Sequence, residues 1–435
     1  MERRNFFKNL GAALAAMQFL PELAQALSER IQKLSADVFA APDERSLWSR
    51  VRREFMLDPD LIHLNCGTVG AVPRLVLDVV ASSMREIEGN PQGNTFGGLA
   101  DGMEIVRQKA AEFLGAQKDE IVLTRNTTEG MNTVVSGLHH LGSGDEMLTT
   151  NHEHGGGMVS WQHLAKHRGI KIRQIKMPAP VPHKAQILQL IEDHITPRTK
   201  ACMFSHVETF TGLQMPLADI AQITRPRGIL LFCDGAQAPG MLDIDVKALG
   251  VDTYASSSHK WMLAPKGSGL LYIRKEIGDL IQPIFTYSGH NVYSASSGTR
   301  NVSHILGHGA TMDFHNAIGR DRIEARCRQL SAHMRLSILD DKTLRQYVRL
   351  LTPNQREISS GIVSFALDPD KISNSALNTS LSQRDIVIKT LPSTYSVDGG
   401  VPAESYNAIR LSTHIFNSEA EIERAVAAMA DVLKG

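Results

Sequence analysis

Ile229-Leu230-Leu231-Phe232-Cys233 is an apolar run that ends abruptly in Asp234-Gly235-Ala236-Gln237. A short apolar run closed by a turn signal predicts a buried strand, so a carboxylate sits at the carboxyl end of an interior strand. In α/β folds that edge is where ligands are met. Downstream, Val251-Asp252-Thr253-Tyr254-Ala255 predicts a second strand, which leads into Ser256-Ser257-Ser258-His259-Lys260-Trp261. One connection and one strand separate Asp234 from Lys260, enough to bring the two around one ligand. The plain alternative is an aspartate capping a helix and a lysine solvated on a loop. A lysine amine and a carboxylate at one sheet edge are what pyridoxal phosphate (PLP) requires. The amine condenses with the cofactor aldehyde as a Schiff base, and the carboxylate keeps the pyridine nitrogen protonated so the ring draws off electrons.

Other segments supply the parts such a site needs. Thr124-Arg125-Asn126-Thr127-Thr128-Glu129-Gly130 follows the apolar Ile121-Val122-Leu123. Hydroxyls and amides at a strand-to-helix turn make an anion nest backed by the helix dipole, although an ordinary N-cap has the same geometry. Asn151-His152-Glu153-His154 and three glycines follow the strand Glu146 to Thr150. An imidazole face can cover a pyridine ring, and the glycines allow close backbone approach. A metal site is the rival for His152, Glu153 and His154, but consecutive residues rarely converge on one ion and no HExxH or cysteine pair accompanies them. No metal is expected.

Together these motifs resemble, from about Leu61 to the C-terminus, the fold-type I PLP enzymes of the class V aminotransferase family. That family includes cysteine desulfurases and isopenicillin N epimerase. The resemblance implies that Lys260 is the catalytic Schiff-base lysine, flanked by Ser257 and His259, and that Asp234 and Gln237 hold the pyridine nitrogen and phenolic oxygen. It further implies that Thr127 and Thr128 meet the phosphate, that His154 stacks on the ring, and that Thr209, where desulfurases carry asparagine, lies near the phenolic oxygen. Tyr406 to Ser412 resembles the family strand whose arginine clamps the substrate carboxylate, which makes Arg410 the clamp; a surface salt bridge is its alternative reading. Gly298-Thr299-Arg300-Asn301 resembles an epimerase-like loop that reaches the neighbouring subunit, so Thr299 would touch cofactor, Arg300 substrate, and the protein would be a homodimer. Leu64 to Pro73 resembles a segment beside the substrate, implicating Asn65 and Cys66, with Cys66 replacing a histidine. Leu391 through Ala408 holds no cysteine, which argues against the persulfide transfer of desulfurases.

The N-terminus carries Arg3-Arg4 before a mildly apolar run and Ala24-Gln25-Ala26. It reads as a twin-arginine signal over residues 1–26, with an amphipathic first helix as the alternative. Export by the twin-arginine machinery to the periplasm follows as an expectation, as does a likeness to exported enzymes that tailor siderophores such as pyoverdine. The expected division is 27–74 as an N-terminal extension and small-domain segment, 75–312 as a large PLP-binding domain, and 313–435 as a smaller α+β domain. Alternating apolar strands and helical stretches between about 75 and 310 predict an α/β fold with a mostly parallel sheet covered by helices on both faces.

Of 435 residues, 46 are basic and 46 acidic, and no long basic run favours nucleic acid. The four cysteines, Cys66, Cys202, Cys233 and Cys327, lack ligand spacing. The leading expectation is aminotransferase-type chemistry on an amino-acid or peptidyl amine. Epimerisation and C–S lysis remain open, as does a PLP-binding protein without catalysis. A Rossmann oxidoreductase finds no GxGxxG after an early strand.

Overall fold

The computed structural model describes residues 21–391 and 393–434. The Arg3-Arg4 motif and the apolar run after it therefore lie outside the described residues. In chain order the strands are β1 (Ile62–His63), β2 (Ile121–Thr124), β3 (Glu146–Thr150), β4 (Lys171–Ile175), β5 (Thr199–Ser205), β6 (Leu230–Asp234), β7 (Thr253–Ser257), β8 (Gly269–Ile273), β9 (Val348–Leu350), β10 (Ile362–Leu367), β11 (Ile386–Val387), β12 (Lys389–Leu391) and β13 (Ala408–Ser412).

Seven strands form the main sheet in the order β2-β8-β7-β6-β5-β3-β4. Only β8 runs against its neighbours; the pairs from β7 to β4 are all parallel. The central strands β6 and β7 are buried along their whole length and β5 at every residue but Lys200, which is why they read as near-continuous apolar runs and not as alternating ones. Side chains nevertheless leave the sheet alternately on two faces. Leu148, Cys202, Leu231, Cys233 and Tyr254 pack in one cluster with Ile187, Ile191 and Ile220 of the helices Lys184–His194 and Leu217–Thr224. Met147, Met203, Phe232 and Ala255 pack in the other with Met131 and Val134 of helix Thr127–Ser136 and Met158 and Trp161 of helix Gly155–Arg168. The α/β architecture expected from sequence is therefore present, with helices on both faces.

A second sheet, β12-β13-β10-β9, is antiparallel. Its inner face packs on the helices Arg320–Asp340, Asn374–Ser382 and Glu419–Lys434 through Leu330, Met334, Leu377, Ile422 and Met429. The apolar clusters divide the chain differently from the expected boundaries. Residue 313 falls inside helix Val302–Ile318, which packs wholly with the large cluster. The division comes within helix Arg320–Asp340, whose Ile323 and Cys327 join the large cluster and whose Leu330, Met334 and Ile338 join the small one. A single continuous helix spans both cores, so no linker marks the border.

The segment after residue 26 is likewise not an appendage. Helix Pro21–Phe39 runs through that position and buries Leu27, Ile31, Leu34 and Val38, spaced three to four residues apart as one helical stripe. It lies against helix Val302–Ile318. That long helix also admits close neighbours at two glycines: a Cβ at Gly307 would meet Val80 at 2.5 Å and one at Gly309 would meet Val106 at 2.6 Å. Among the described residues no helix is long and apolar enough to cross a membrane. Because Ile31 is 1% exposed, Ile31→Ala should destabilise the protein by about 2–5 kcal/mol. Chemical denaturation should show that loss as a lower midpoint; an unchanged midpoint would mean that the first helix is not part of the folded unit.

Candidate active site

The carboxyl ends of β3, β5, β6 and β7 open on one cavity of about 590 Å³, closed on its far side by β12, β13 and the 393–395 segment. That size suits a cofactor together with a small substrate. Parallel pairing makes the convergence: Ser205 registers with Asp234, and Asp234 with Ala255. Lys260 comes three residues after β7 ends at Ser257, directly past the turn Ser258-His259, so the aspartate and lysine separated in sequence line the same cavity.

Asp234 is buried, and its Oδ1 accepts a hydrogen bond from the Ala236 amide at 2.9 Å. Its Oδ2 points toward Gly157, where a Cβ would stand only 2.7 Å away. Gly157 thus keeps open the space in front of the carboxylate. Lys260 also lines the cavity, and burial, opposed by Asp234 and aided by Arg410, holds its amine down at about 8. More of it is therefore neutral near physiological pH than of an ordinary lysine, as a nucleophilic amine requires.

At the other end Asn126 caps helix Thr127–Ser136, its side chain accepting from the Glu129 amide. The Thr127 amide donates to Ser257 Oγ at 2.9 Å, and the two hydroxyls lie 2.8 Å apart. Thr127, Thr128, Ser257 and His259 all line the cavity beside this helix N-terminus. Burial and the Lys260 charge push His259 down to about 4, leaving it neutral. His154 caps helix Gly155–Arg168 and lines the cavity. The three side chains weighed as metal ligands diverge: His152 pairs with Glu208, Glu153 accepts from Ser205 and Thr150, and His154 accepts from the Gly156 amide. Burial, against the Ser205 hydrogen bonds and with Glu208 nearby, raises Glu153 to about 8.

Arg410, on β13, is 2% exposed. Its guanidinium donates to Thr209 Oγ1, to Thr68 Oγ1 at 2.8 Å and to Asn65 Oδ1 at 3.2 Å, and its Nε has no partner among the described residues. All of these acceptors are neutral. Burial pulls its pKa down to about 10, which still leaves it charged at neutral pH. Gln237 lines the cavity, but Gly67 O, Thr209 Oγ1 and the Trp261 indole already engage its amide.

Four expected residues are placed otherwise. Cys66 is fully buried with its Sγ against Lys260 O at 3.7 Å, and burial raises its thiol far above the ordinary value. Asn65 stands behind Arg410 and not on the cavity wall, where Gly67 and Thr68 stand instead. Thr299 is exposed, and Arg300 is spent on Leu123 O and Val292 O, so one chain alone brings neither to the cavity. Conversely, the fold adds Lys389, Phe210, His152 and Tyr395 to the wall. The one signal for Lys389 is a lysine interrupting the mostly apolar run Ile386 to Leu391, which marks a polar side chain on an otherwise apolar strand.

These residues fit PLP: a lysine amine, a carboxylate with space before it, and hydroxyls at a helix N-terminus line one cavity. The Aminotransferase class-V family profile matches residues 66–425. The chain is 30% identical over 411 residues to isopenicillin N epimerase of Amycolatopsis lactamdurans, covering 89% of this chain and 99% of that one. It is also 30% identical over 337 residues to a probable cysteine desulfurase of Halalkalibacterium halodurans, covering 72% of this chain and 82% of the relative. Among solved structures it resembles a C-DES variant with glycine covalently linked to its PLP cofactor, at a TM-score of 0.75 and 24% identity over 87% of this chain and 99% of that one. The apo cysteine desulfurase of Thermococcus onnurineus NA1 aligns at a TM-score of 0.74 and 24% identity, covering 89% of this chain and 98% of that one. The protein belongs to the class-V aminotransferase family and is, like that family, a PLP-dependent enzyme.

Proposed function

We propose that this enzyme performs aminotransferase-type chemistry on the amine of an amino acid or of an amino-acid residue within a peptide. The observation that carries it is the pairing in one cavity of a half-buried, low-pKa lysine with a buried arginine that has no carboxylate partner among the described residues. PLP, when bound, supplies an aldehyde that captures amines and a protonated ring that withdraws electrons from the substrate. Asp234, whose Oδ2 faces the space left open by Gly157, would hold the ring nitrogen protonated. Thr127, Thr128, Ser257 and His259, which line the cavity at the N-terminus of helix Thr127–Ser136, would receive the phosphate. Arg410 binds the substrate carboxylate, with Thr209, Thr68 and Asn65 holding its guanidinium in place. Lys260, neutral in part at working pH, would take the proton from the substrate Cα; handing it on to a different carbon, and not back to Cα, is what transamination requires.

A second reading, epimerisation, is favoured by the similarity to isopenicillin N epimerase across nearly that whole protein. Persulfide transfer is disfavoured, because all four cysteines are buried and burial raises their thiols. Thr299 and Arg300 would serve a cavity only in a second copy, consistent with a homodimer. Export to the periplasm through a twin-arginine signal remains part of the proposal, since a route for folded proteins suits an enzyme loaded with cofactor beforehand.

Absorbance titration of the holoenzyme with D- and L-amino acids, followed by product analysis, tests the reading. A keto acid product supports transamination, inversion of configuration supports epimerisation, and loss of a side-chain group supports lysis. Lys260→Ala should abolish amine-dependent turnover; turnover that survives would refute the assignment. Arg410→Ala should weaken carboxylate substrates by about 2–5 kcal/mol while the cofactor's own absorbance persists. Equal binding of amino acids and their decarboxylated amines by the wild type would sink the clamp.

The Lys260 pKa of about 8 also predicts a pH profile. Below that pH the amine is protonated and cannot attack; above it the amine is neutral. Capture of PLP by cofactor-free protein should therefore speed up with rising pH through about 8 and then level off, as followed by stopped-flow absorbance. An inflection at the ordinary lysine value of about 10.4 would show that the site does not desolvate this amine.

A further inference from the structure

Lys389 on β12 pairs in register with Arg410 on β13. Directly opposed residues leave a sheet on the same face, about 4.5–5.5 Å apart at Cβ, and like charges there repel. Both residues line the cavity. The carboxylates on adjoining segments are already engaged: Glu208, next to Thr209, is paired with His152, and Glu404, whose amide donates to Thr394, is paired with Lys176 and Tyr406. Asp234 and the high-pKa Glu153 lie on the opposite wall, at the ends of β6 and β3. Two cations thus stand side by side, and among the described residues no carboxylate forms an ion pair with either. Their field reaches across the cavity: after burial and Lys260, both Arg410 and Lys389 help lower the pKa of His154.

A substrate with a single carboxylate satisfies only one of them. Ser393, Thr394 and Tyr395 continue the wall beyond Lys389 with hydroxyl groups, which suits a polar substrate side chain over an aliphatic one. We propose that Lys389 forms a second anion subsite and that the enzyme takes amino acids with an acidic side chain, the α-carboxylate on Arg410 and the second carboxylate on Lys389. This inference rests on the role given to Arg410 above. A lysine here, with three rotatable donors on a flexible stem, accommodates side chains of different length where a rigid fork would not.

The test is a set of dissociation constants for matched pairs: glutamate with glutamine, aspartate with asparagine, and 2-aminoadipate with norleucine. They are read from the change in cofactor absorbance of wild-type, Lys389→Gln and Lys389→Arg holoenzymes. In the wild type the acidic member of at least one pair should bind about tenfold or more tightly than its neutral partner. Lys389→Gln should erase that preference by weakening the acid alone, and Lys389→Arg should restore most of it. No acidic preference in the wild type, or equal weakening of both members in Lys389→Gln, would overturn the proposal. Calorimetry with glutarate against butyrate, neither of which carries an amine, separates the two layers. If no amino acid perturbs the cofactor, the proposed function fails. Glutarate binding that is stronger than butyrate binding and depends on Lys389 still supports the subsite, and its absence overturns it.

Discussion

A charge removed from water must be met by an opposite charge or a dense set of hydrogen bonds, and the cavity is organised around an arginine that receives only the second. Thr209, Thr68 and Asn65 hold Arg410 through neutral oxygens. Each of these comes from a different part of the chain: Thr209 follows β5, Asn65 and Thr68 follow β1, and Arg410 lies in β13. Fixing the guanidinium therefore ties the small sheet, the N-terminal segment and the large sheet to one point. Neutral acceptors orient the cation without discharging it. The attraction for an incoming carboxylate is kept, while the geometry is already set before it arrives.

The main sheet does the complementary work for the cofactor. Parallel strands present their carboxyl ends at one edge, so the residues just past β3, β5, β6 and β7 converge whatever their separation in sequence. This makes the Asp234 and Lys260 pairing robust. The register of β6 against β7 brings the segments that carry them to the same cavity. Gly157 has a subtler part, since any side chain there would fill the space before Asp234 Oδ2.

How much of this the sequence discloses depends on the range of the interaction. Asp234, Lys260, Thr127 and His154 sit at element ends, where local patterning marks the strand and the turn, and the cavity contains all four. Arg410 could be chosen from its motif, but its lack of a carboxylate partner depends on contacts hundreds of residues apart. Cys66 shows the opposite failure. Neighbours on both sides of a motif position need not share its exposure, and a one-residue shift puts Gly67 on the wall and Cys66 in the core. Thr299 and Arg300 belong to a loop whose proposed use requires a second copy, which no single-chain pattern contains. The expected boundary near 313 has no break to mark it, because helix Arg320–Asp340 serves two cores.

The segment that closes the cavity bears on which chemistry is open to this chain. Where a persulfide-forming enzyme needs a thiol on a loop free to approach and withdraw, residues 393–406 are held in place here. The Tyr395 amide donates to Asn151 O, and the Tyr395 hydroxyl donates to Gln162. The Gln174 side chain donates to Tyr395 O and accepts from the Val397 and Val401 amides, while Glu404 is bound to Lys176 and Tyr406. Gln174 itself lies on β4 of the main sheet. A loop anchored to the large sheet at this many points acts as a wall and not as a carrier. A fixed wall of hydroxyls beside two cations can discriminate by shape and charge at every turnover, because the groups that read the substrate side chain are in position before it enters.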